Sequence, residues 1–297
     1  MNGVLNILKP PAMTSSDVVT RLRRILDVRK TGHTGTLDPG AAGVLPVCVG
    51  RATKIADYIM ASDKEYIAEI CFGLETDTQD SYGAVVNRSD VTVSRHQLEG
   101  IIPQFLGTIM QQPPMYSAIK HEGKKLYQLA RKGIELNKPA RKVRIHTIDI
   151  LHGADNRYLL KIQCSKGTYI RSLCADMGRA LGTCAYTGFL MRTRTGGYAV
   201  EDAWTLYEIE ALCKTQEIER ALVPMETALD FMPRVFCEEY LYDILTTGTP
   251  VDLNKARDLQ VEKDVHYAVY CRNELIGIGK RAGDTLKIIS MLKLREG

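Results

Sequence analysis

The residue best suited to chemistry is Asp38, which stands in the segment GTLDPG. The proline that follows disfavours helical geometry for the aspartate, and four glycines within six residues of it let a large ligand approach the backbone. A carboxylate in a dry, shaped pocket can act as a covalent nucleophile or as a base. An aspartate that merely caps a turn has the same local pattern, so this motif alone leaves both interpretations open.

Two other side chains could complete a site around this carboxylate. A buried carboxylate needs a cation, and Arg171 offers a guanidinium that is always charged and donates two parallel hydrogen bonds. Tyr66 could stack on an extruded nucleic-acid base, and its hydroxyl could serve as a weak acid or base. Tyr66 could equally be an ordinary strand tyrosine, and the sequence does not establish that Arg171 meets Asp38.

Positive charge is concentrated in one segment of the chain. Residues 111–144 contain nine basic and two acidic residues, a net charge of +7, whereas the rest of the chain sums to −3. This concentration indicates contact with phosphate groups, although a solvated charged surface has the same composition. Within the segment, Tyr116 and Lys120 are candidate RNA contacts. His33, outside it, could contact a ligand or simply bond to the backbone.

Composition and motifs exclude several classes of protein. The 297 residues are 45% hydrophobic and 25% charged, which favours a globular protein with one large and one small domain. The eight cysteines form no CxxC pair and lack zinc-ligand spacing to histidine, so we interpret them as reduced core thiols. Phosphate-cradle and dinucleotide motifs are absent from the sequence. A signal-peptide pattern and a membrane-length apolar run are also absent, so we expect a cytoplasmic protein.

Hydrophobic alternation predicts the strand that carries the candidate tyrosine. Over Glu65–Phe72, apolar residues recur at every second position, which would place Tyr66, Ala68 and Ile70 on one face. Three further groups of elements are predicted: a helix over 94–106, paired strands at Val143–Leu151 and Tyr158–Cys164, and a strand before Gly196.

Two predicted helices flank the chemistry-bearing segments. Ser15 and Ser16 are good N-caps for the first helix. Thr168 would cap the second helix, which places Arg171 in its first turn. Between the first helix and the tyrosine strand, residues 31–50 are rich in glycine and contain prolines, so we predict a loop rather than a regular element.

The pattern of the sequence changes after about Pro233, where short predicted strands alternate with turn residues. We therefore predict a large domain at residues 1–230, with the basic segment as an insertion at about 108–144, and a small β-rich domain at 231–297. The strands of the small domain are predicted at His266–Cys271, Leu275–Gly279 and Leu286–Leu292.

Six segments, in order over residues 4–198, carry a resemblance to a known family. The segments are NILKPPAMTSSDVV, GHTGTLDPGAAGVLP, DKEY with GLETDTQD, PPMYSAIKHEGKKLYQLARKG, CSKGTYIRSLCADMG and FLMRTRTGGY. They resemble the TruB family of tRNA pseudouridine-55 synthases, most specifically around Asp38, Tyr66 and Arg171. Residues 231–297 more loosely resemble a PUA-type RNA-binding module.

The resemblance implies a fold and a chemistry. It implies an α+β fold with a mixed, largely antiparallel central sheet, flanking helices and a small β-rich PUA-like domain. Asp38 would drive glycosidic cleavage of the target uridine, as nucleophile or base, and Arg171 would hold it. Tyr66 would stack on the flipped uracil and remove the proton from C5. The reaction would need no cofactor and no metal.

The resemblance also implies substrate contacts. His33 would fill the space left in the tRNA T loop, Asp80 would lie near the nucleotide and Leu190 would pack in the base pocket. The remaining candidate contacts are Tyr116, Lys120, Lys124, Lys125, Arg131 and Arg141.

Two other functions remain open at this stage. A guide-directed, dyskerin-like synthase would share the catalytic residues, and an RNA-binding or RNA-folding protein could carry catalysis as a secondary activity. The basic insertion favours a stand-alone enzyme, since it can grip RNA without partner proteins. We therefore expect tRNA, through its T arm, as the partner of a monomer that needs no membrane and no obligatory protein partner.

Overall fold

Two β-sheets dominate the computed structural model, which describes residues 1–114, 116, 120–121, 124–125, 139–253 and 260–293. The strands are β1 (Gly3–Lys9), β2 (Thr31–His33), β3 (Ala42–Val49), β4 (Lys64–Phe72), β5 (Leu74–Thr76), β6 (Val85–Arg88), β7 (Gly107–Gln111), β8 (Lys120–His121), β9 (Lys124–Lys125), β10 (Arg141–Ala154), β11 (Arg157–Cys164), β12 (Ala185–Thr195), β13 (Tyr198–Ala199), β14 (Leu222–Val223), β15 (Arg234–Cys237), β16 (Val251–Asp252), β17 (His266–Cys271), β18 (Glu274–Ala282) and β19 (Thr285–Met291). The α-helices are α1 (Ser15–Leu26), α2 (Ala56–Met60), α3 (Arg95–Ile101), α4 (Ile170–Ala180), α5 (Leu206–Lys214), α6 (Met225–Ala228) and α7 (Tyr242–Thr247).

The larger sheet has ten strands. Its order is β14-β1-β3-β12-β4-β11-β10-β7, with β2 paired to β3 and β13 paired to β12. Neighbours in this sheet run antiparallel except for β3 and β12, which are parallel. This architecture confirms the expected mixed, largely antiparallel sheet. The second sheet, of order β15-β17-β18-β19-β16, contains the three strands predicted after residue 260.

The alternation that predicted β4 is confirmed. Tyr66, Ala68, Ile70 and Phe72 are all buried, and they belong to one hydrophobic cluster with residues of β10, β11 and α4. The alternating pattern therefore fixes which face of this strand the tyrosine occupies.

The prediction that residues 31–50 form a loop is wrong over most of their length. Thr31–His33 and Ala42–Val49 are strands, and β3 lies at the middle of the sheet between β1 and β12. A fully buried strand reads as a continuous apolar run rather than an alternation, and glycine and proline obscured that signal. Gly43 has a φ of +113°. A Cβ added at this position would collide with the backbone of the neighbouring strand, β12.

Two predicted caps are also wrong, although both helices exist. The N-cap of α1 is Thr14, which forms a capping box with Asp17, and Ser15 instead turns into the core. Thr168 donates its hydroxyl to the carbonyl of Ser165, and α4 begins after Tyr169 without a side-chain cap. Arg171 lies in the first turn of α4, as predicted.

The two sheets share a hydrophobic core. Val4, Cys48 and Ile59 from the first part of the chain pack in one cluster with Ala268 and Ile278 of the second sheet. The small sheet is therefore built onto the large one through buried apolar contact. All eight cysteines are free thiols, as predicted, and six of them are buried.

The basic segment leaves and re-enters the fold at one edge of the large sheet. β7 pairs with β10 from Gln111 opposite Arg141 to Gly107 opposite Ile145. The predicted helix in GKKLYQLARKG lies outside the described residues. Among the residues that are described, no helix is long and apolar enough to cross a membrane.

Replacing Gly43 by alanine should destabilise the fold. A Cβ there would lie 2.1 Å from the carbonyl oxygen of Arg192, at a φ that residues other than glycine rarely adopt. We expect the free energy of unfolding, measured by urea denaturation, to fall by about 3 kcal/mol. Gly32→Ala is the matched control, because a Cβ at Gly32 meets nothing within 4 Å. Equal effects of the two substitutions would contradict this account of the join between β3 and β12.

Candidate active site

Asp38 lies in the loop that joins β2 to β3, and this loop is anchored at several points. Leu37 is buried in the core, and its backbone N–H donates to the hydroxyl of Ser15 at 2.9 Å. Ala41, on the other side of the aspartate, is also buried and donates its N–H to the carbonyl of Asp38 at 3.1 Å. The loop therefore presents Asp38 from a backbone that is fixed on both sides.

Lys9, at the end of β1, binds the backbone of the same loop. Its side chain is fully buried, and Nζ donates to the carbonyls of Ala41 at 2.7 Å, Pro10 at 2.8 Å and Pro39 at 3.3 Å. Burial lowers the pKa of Lys9 to about 8, and the nearby charge of Asp38 opposes that shift. This role of Lys9 was not predicted from the sequence.

Arg171 and Asp38 form a bidentate ion pair. Nε of Arg171 lies 2.9 Å from Oδ2 of Asp38, and Nη2 donates to Oδ1 at 3.2 Å. The arginine side chain is only 4% exposed, while that of Asp38 is 35% exposed. Arg171 also donates to the carbonyls of Thr78 at 2.7 Å and Tyr116 at 2.8 Å. The guanidinium is thus held by three groups, and the carboxylate it binds still reaches solvent.

Asp80 joins the same guanidinium from the loop between β5 and β6. Its Oδ2 lies 3.5 Å from Nη1 of Arg171. Its Oδ1 accepts hydrogen bonds from the hydroxyl of Thr78 at 2.6 Å and from the N–H of Tyr82 at 3.0 Å. One arginine therefore lies between two carboxylates, and Asp80 also accepts hydrogen bonds from its own loop.

The pKa of Asp38 is raised above its ordinary value. Burial is the main cause, and the charge of Asp80 adds to it. The charge and hydrogen bond of Arg171 act in the opposite direction, as does the charge of Lys9. A carboxylate with a raised pKa is a stronger base than a solvated one, and Arg171 keeps the ionised form accessible.

Tyr66 lies on β4, near enough to Asp38 for the charge of the carboxylate to act on its hydroxyl. Burial raises the pKa of the Tyr66 hydroxyl, and the charge of Asp38 adds to the shift, whereas Arg192 lowers it through its charge and a hydrogen bond. Tyr66 and Arg192 are directly opposite each other on β4 and β12. The three residues predicted to form the site are therefore brought together from a loop, a strand and a helix.

The other predicted substrate contacts lie on several different elements. Leu190 packs against the hydrophobic cluster that contains Tyr66. His33 lies at the end of β2, where its Nδ1 accepts from the N–H of Gly35 at 3.4 Å. Arg141 is half-buried at the start of β10, at the base of the basic segment. Only the backbone of Lys120, Lys124 and Lys125 is described, as the hairpin of β8 and β9, and Arg131 lies outside the described residues.

Sequence analysis missed two further anchors of the site. Gln111 is buried and makes a reciprocal pair with Tyr169, accepting from its N–H at 2.8 Å and donating to its carbonyl at 3.0 Å. This pair attaches the base of the basic segment to the turn before Arg171. Arg192 is buried at 1% exposure. A charged residue two positions after Leu190, on the inward face of a strand, was the available signal.

The structure thus brings together a carboxylate–guanidinium pair and a buried tyrosine on a mixed sheet whose edge strands flank the basic segment. The chain matches the TruB family pseudouridylate synthase N-terminal domain over residues 23–170 and the tRNA pseudouridylate synthase B C-terminal domain over 171–230. The chain belongs to the TruB family of pseudouridylate synthases, which are enzymes. This confirms the resemblance drawn from the sequence.

Relatives and solved structures agree over nearly the whole chain. The tRNA pseudouridine synthase B of Alkaliphilus oremlandii is 40% identical over 297 residues, covering 99% of this chain and 98% of that one. That of Clostridium tetani is 42% identical over 293 residues, covering 98% and 100%. A crystal structure of a Cbf5–Nop10–Gar1 complex contains a chain with a TM-score of 0.78 at 26% identity, covering 99% of this chain and 86% of that chain.

Replacing Lys9 by methionine should remove a pH dependence of stability. Folded Lys9 loses its proton near pH 8 and unfolded Lys9 near 10.5, so between these values the unfolded state binds more protons and the stability of the wild type rises with pH. Relative to Lys9→Met, the wild-type free energy of unfolding should gain about 2 to 3 kcal/mol from about pH 7 to about pH 10. Urea denaturation at each pH measures this, with exposed Lys30→Met as control. A constant difference between wild type and Lys9→Met would contradict it.

Proposed function

We propose that this enzyme converts a uridine in the T loop of tRNA, at position 55, to pseudouridine. The observation that carries the proposal is the bidentate pair of Arg171 and Asp38 beside the buried Tyr66. Relatives that match the full length of the chain are named tRNA pseudouridine synthase B, which supports tRNA as the substrate. The base inside a folded loop must be flipped out to reach such a pocket.

The reaction is an isomerisation in which the uracil changes its point of attachment. The bond between C1′ and N1 breaks, with Asp38 acting either on the sugar or on the base. The uracil rotates within the pocket, and a new bond forms between C1′ and C5. Any bond that Asp38 forms to the uridine breaks again before the product leaves. The phenol of Tyr66 gives its proton to solvent and then takes the proton from C5, and N1 takes up a proton from solvent, so that atoms and charge balance.

Each residue of the centre has a physical role in this reaction. Asp38 is a base or nucleophile whose raised pKa makes it more reactive, and Arg171 holds both its charge and its direction. Tyr66 stacks on the extruded uracil. Asp80 keeps Arg171 from rotating away, and Leu190 closes the apolar side of the base pocket.

Extrusion of the base costs a few kcal/mol, and the enzyme offsets this with stacking and phosphate contacts. The basic segment supplies the phosphate contacts, through Lys120, Lys124, Lys125, Arg131 and Arg141. The first residues of this segment are hydrogen-bonded to the turn and helix that carry Arg171, through Gln111 and the carbonyl of Tyr116. RNA held by the segment is therefore delivered next to the catalytic pair, with His33 filling the space that the flipped base leaves.

We further propose a division of labour along the chain. Residues 1–230 form the catalytic domain, with the insertion at about 108–144, and residues 231–297 form a PUA-like module that contacts RNA. The protein acts as a monomer on tRNA, without a guide RNA or an obligatory protein partner. The full-length match to relatives named as single enzymes supports this over a guide-directed function.

Replacing Asp38 by asparagine should abolish turnover and leave binding intact. Asparagine keeps the shape but cannot act as nucleophile or base, so we expect pseudouridine formation to fall by about a thousandfold or more. Chemical mapping of a bare T-arm transcript after incubation measures the product, and filter binding measures the affinity. Exposed Asp90→Asn is the matched control.

Two outcomes of this experiment would count against the proposal. Retained turnover in Asp38→Asn would remove Asp38 from the chemistry. An inactive wild-type enzyme on the bare transcript, active only with added guide RNA, would favour the guide-directed function.

Neutralising Lys124 and Lys125 to glutamine should weaken binding to tRNA in a salt-dependent way. Each phosphate contact releases counterions, so the slope of log affinity against log salt concentration should fall by about 1 to 2. The control pair is Lys30→Gln with Lys214→Gln, two exposed lysines outside the basic segment. An unchanged slope in the Lys124 and Lys125 variant would place the phosphate contacts elsewhere.

A further inference from the structure

Arg192, in the middle of β12, is a buried cation with neutral partners. Its side chain is 1% exposed, and it forms no ion pair with any carboxylate among the described residues. Its Nε donates to the carbonyl of Val44 at 2.8 Å, and its Nη2 donates to the carbonyl of Gly35 at 3.2 Å. Arg171, in contrast, has two carboxylates. A charge that is buried without a counter-ion is costly, so its position calls for an explanation beyond packing.

The third described partner of this guanidinium is Tyr66. The two residues are opposite each other on antiparallel strands, which places their side chains on the same face of the sheet. Arg192 lowers the pKa of Tyr66 through its charge and through a hydrogen-bonding contribution, so the guanidinium lies close to the phenol oxygen. Arginine can only donate, so the phenol oxygen is the acceptor, and the proton of the phenol is left to point away from Arg192.

The same side chain reaches the loop that carries Asp38. Gly35 is three residues before the aspartate, and its carbonyl accepts the hydrogen bond from Nη2 of Arg192. A Cβ at Gly35 would lie 3.6 Å from Nη1 of Arg192, so the loop passes directly against the guanidinium. Arg192 therefore joins the strand of Tyr66 to the loop of Asp38.

The charges around the phenol fall into two groups. Asp38 and Cys164 disfavour the ionised form of Tyr66, and burial does so more strongly. Arg192 is the cation that opposes them. Lys9 and Lys64 lie near Arg192, and burial together with that arginine lowers the pKa of each to about 8.

We propose that Arg192 is a positioning residue for Tyr66: it fixes the phenol against the Asp38 loop and places a positive charge at the phenol oxygen. The role rests on the proposed function of Tyr66 as acceptor of the C5 proton. In that step the phenol first loses its own proton to solvent, and the phenolate then takes the proton from C5. Arg192 stabilises the phenolate between these two events.

The direct test uses 3,5-difluorotyrosine, which is more acidic than tyrosine, incorporated at position 66. Fluorine NMR of the free protein then reports the titration of that one residue without RNA. We expect its pKa to be higher in Arg192→Gln than in the wild type by about one unit or more, because a charge at the phenol oxygen is removed. Arg194→Gln, an exposed arginine on the same strand, is the matched control and should leave the pKa unchanged.

If Arg192→Gln does not fold, Arg192→Lys provides a second test. Lysine keeps the positive charge but lacks the planar guanidinium with its several N–H donors. In the lysine variant we expect a smaller rise of the pKa, and a lower kcat with an unchanged KM. An unshifted pKa in the folded variants would overturn the proposal.

Activity gives a second, independent readout. Arg192→Gln with tyrosine at position 66 should lose about tenfold or more in kcat. Difluorotyrosine at position 66 should recover a large part of this loss, because a more acidic phenol ionises without the positive charge of Arg192. A purely structural role predicts no such rescue, so its absence would contradict the proposal. If the wild type formed no pseudouridine but Arg192→Gln still raised the pKa at position 66, the proposed function would be rejected. The electrostatic coupling between Arg192 and Tyr66 would then still hold.

Discussion

The ion pair between Arg171 and Asp38 is the interaction on which the rest of the site depends. A carboxylate that is to act on a nucleoside must be partly removed from water, and its charge then needs a fixed partner. Arg171 meets this need with two hydrogen bonds from a side chain that is itself held by the carbonyls of Thr78 and Tyr116. The large sheet places α4 and the Asp38 loop where the two groups meet.

Buried charge in this protein has one sign. Among the described residues, the charged side chains that are buried are all cations, namely Lys9, Lys64, Arg171 and Arg192. Each of them interacts electrostatically with Asp38, with Tyr66 or with another of the four cations. These cations therefore oppose the effect of burial, which by itself would keep Asp38 and Tyr66 protonated. Backbone carbonyls, rather than acids, satisfy most of the donors, so this positive charge is not cancelled.

The sequence predicted the positions of the reactive groups better than their surroundings. Strand alternation placed Tyr66 on the buried face, and helical periodicity placed Arg171 in the first turn of α4, because both signals are local. The meeting of Arg171 with Asp38 spans 133 residues and was visible only through the family resemblance. β3 was missed because glycine and proline are unusual inside a strand, and Gly43 is needed here for the close approach to the backbone of Arg192. Lys9 and Arg192 were missed because charges in strands are usually solvated, and tertiary contact decided otherwise.

Arg171 keeps Asp38 ionised against the effect of burial, and the pKa of Asp38 measures this directly. Carbon-13 NMR of aspartate-labelled free protein gives that pKa, with the Asp38 signal assigned through Asp38→Asn. Replacing Arg171 by glutamine removes the nearest cation while burial remains. We therefore expect the pKa of Asp38 to rise by about one unit or more. A carboxyl that titrates at the same pH in the wild type and in Arg171→Gln would show that Arg171 does not control its ionisation.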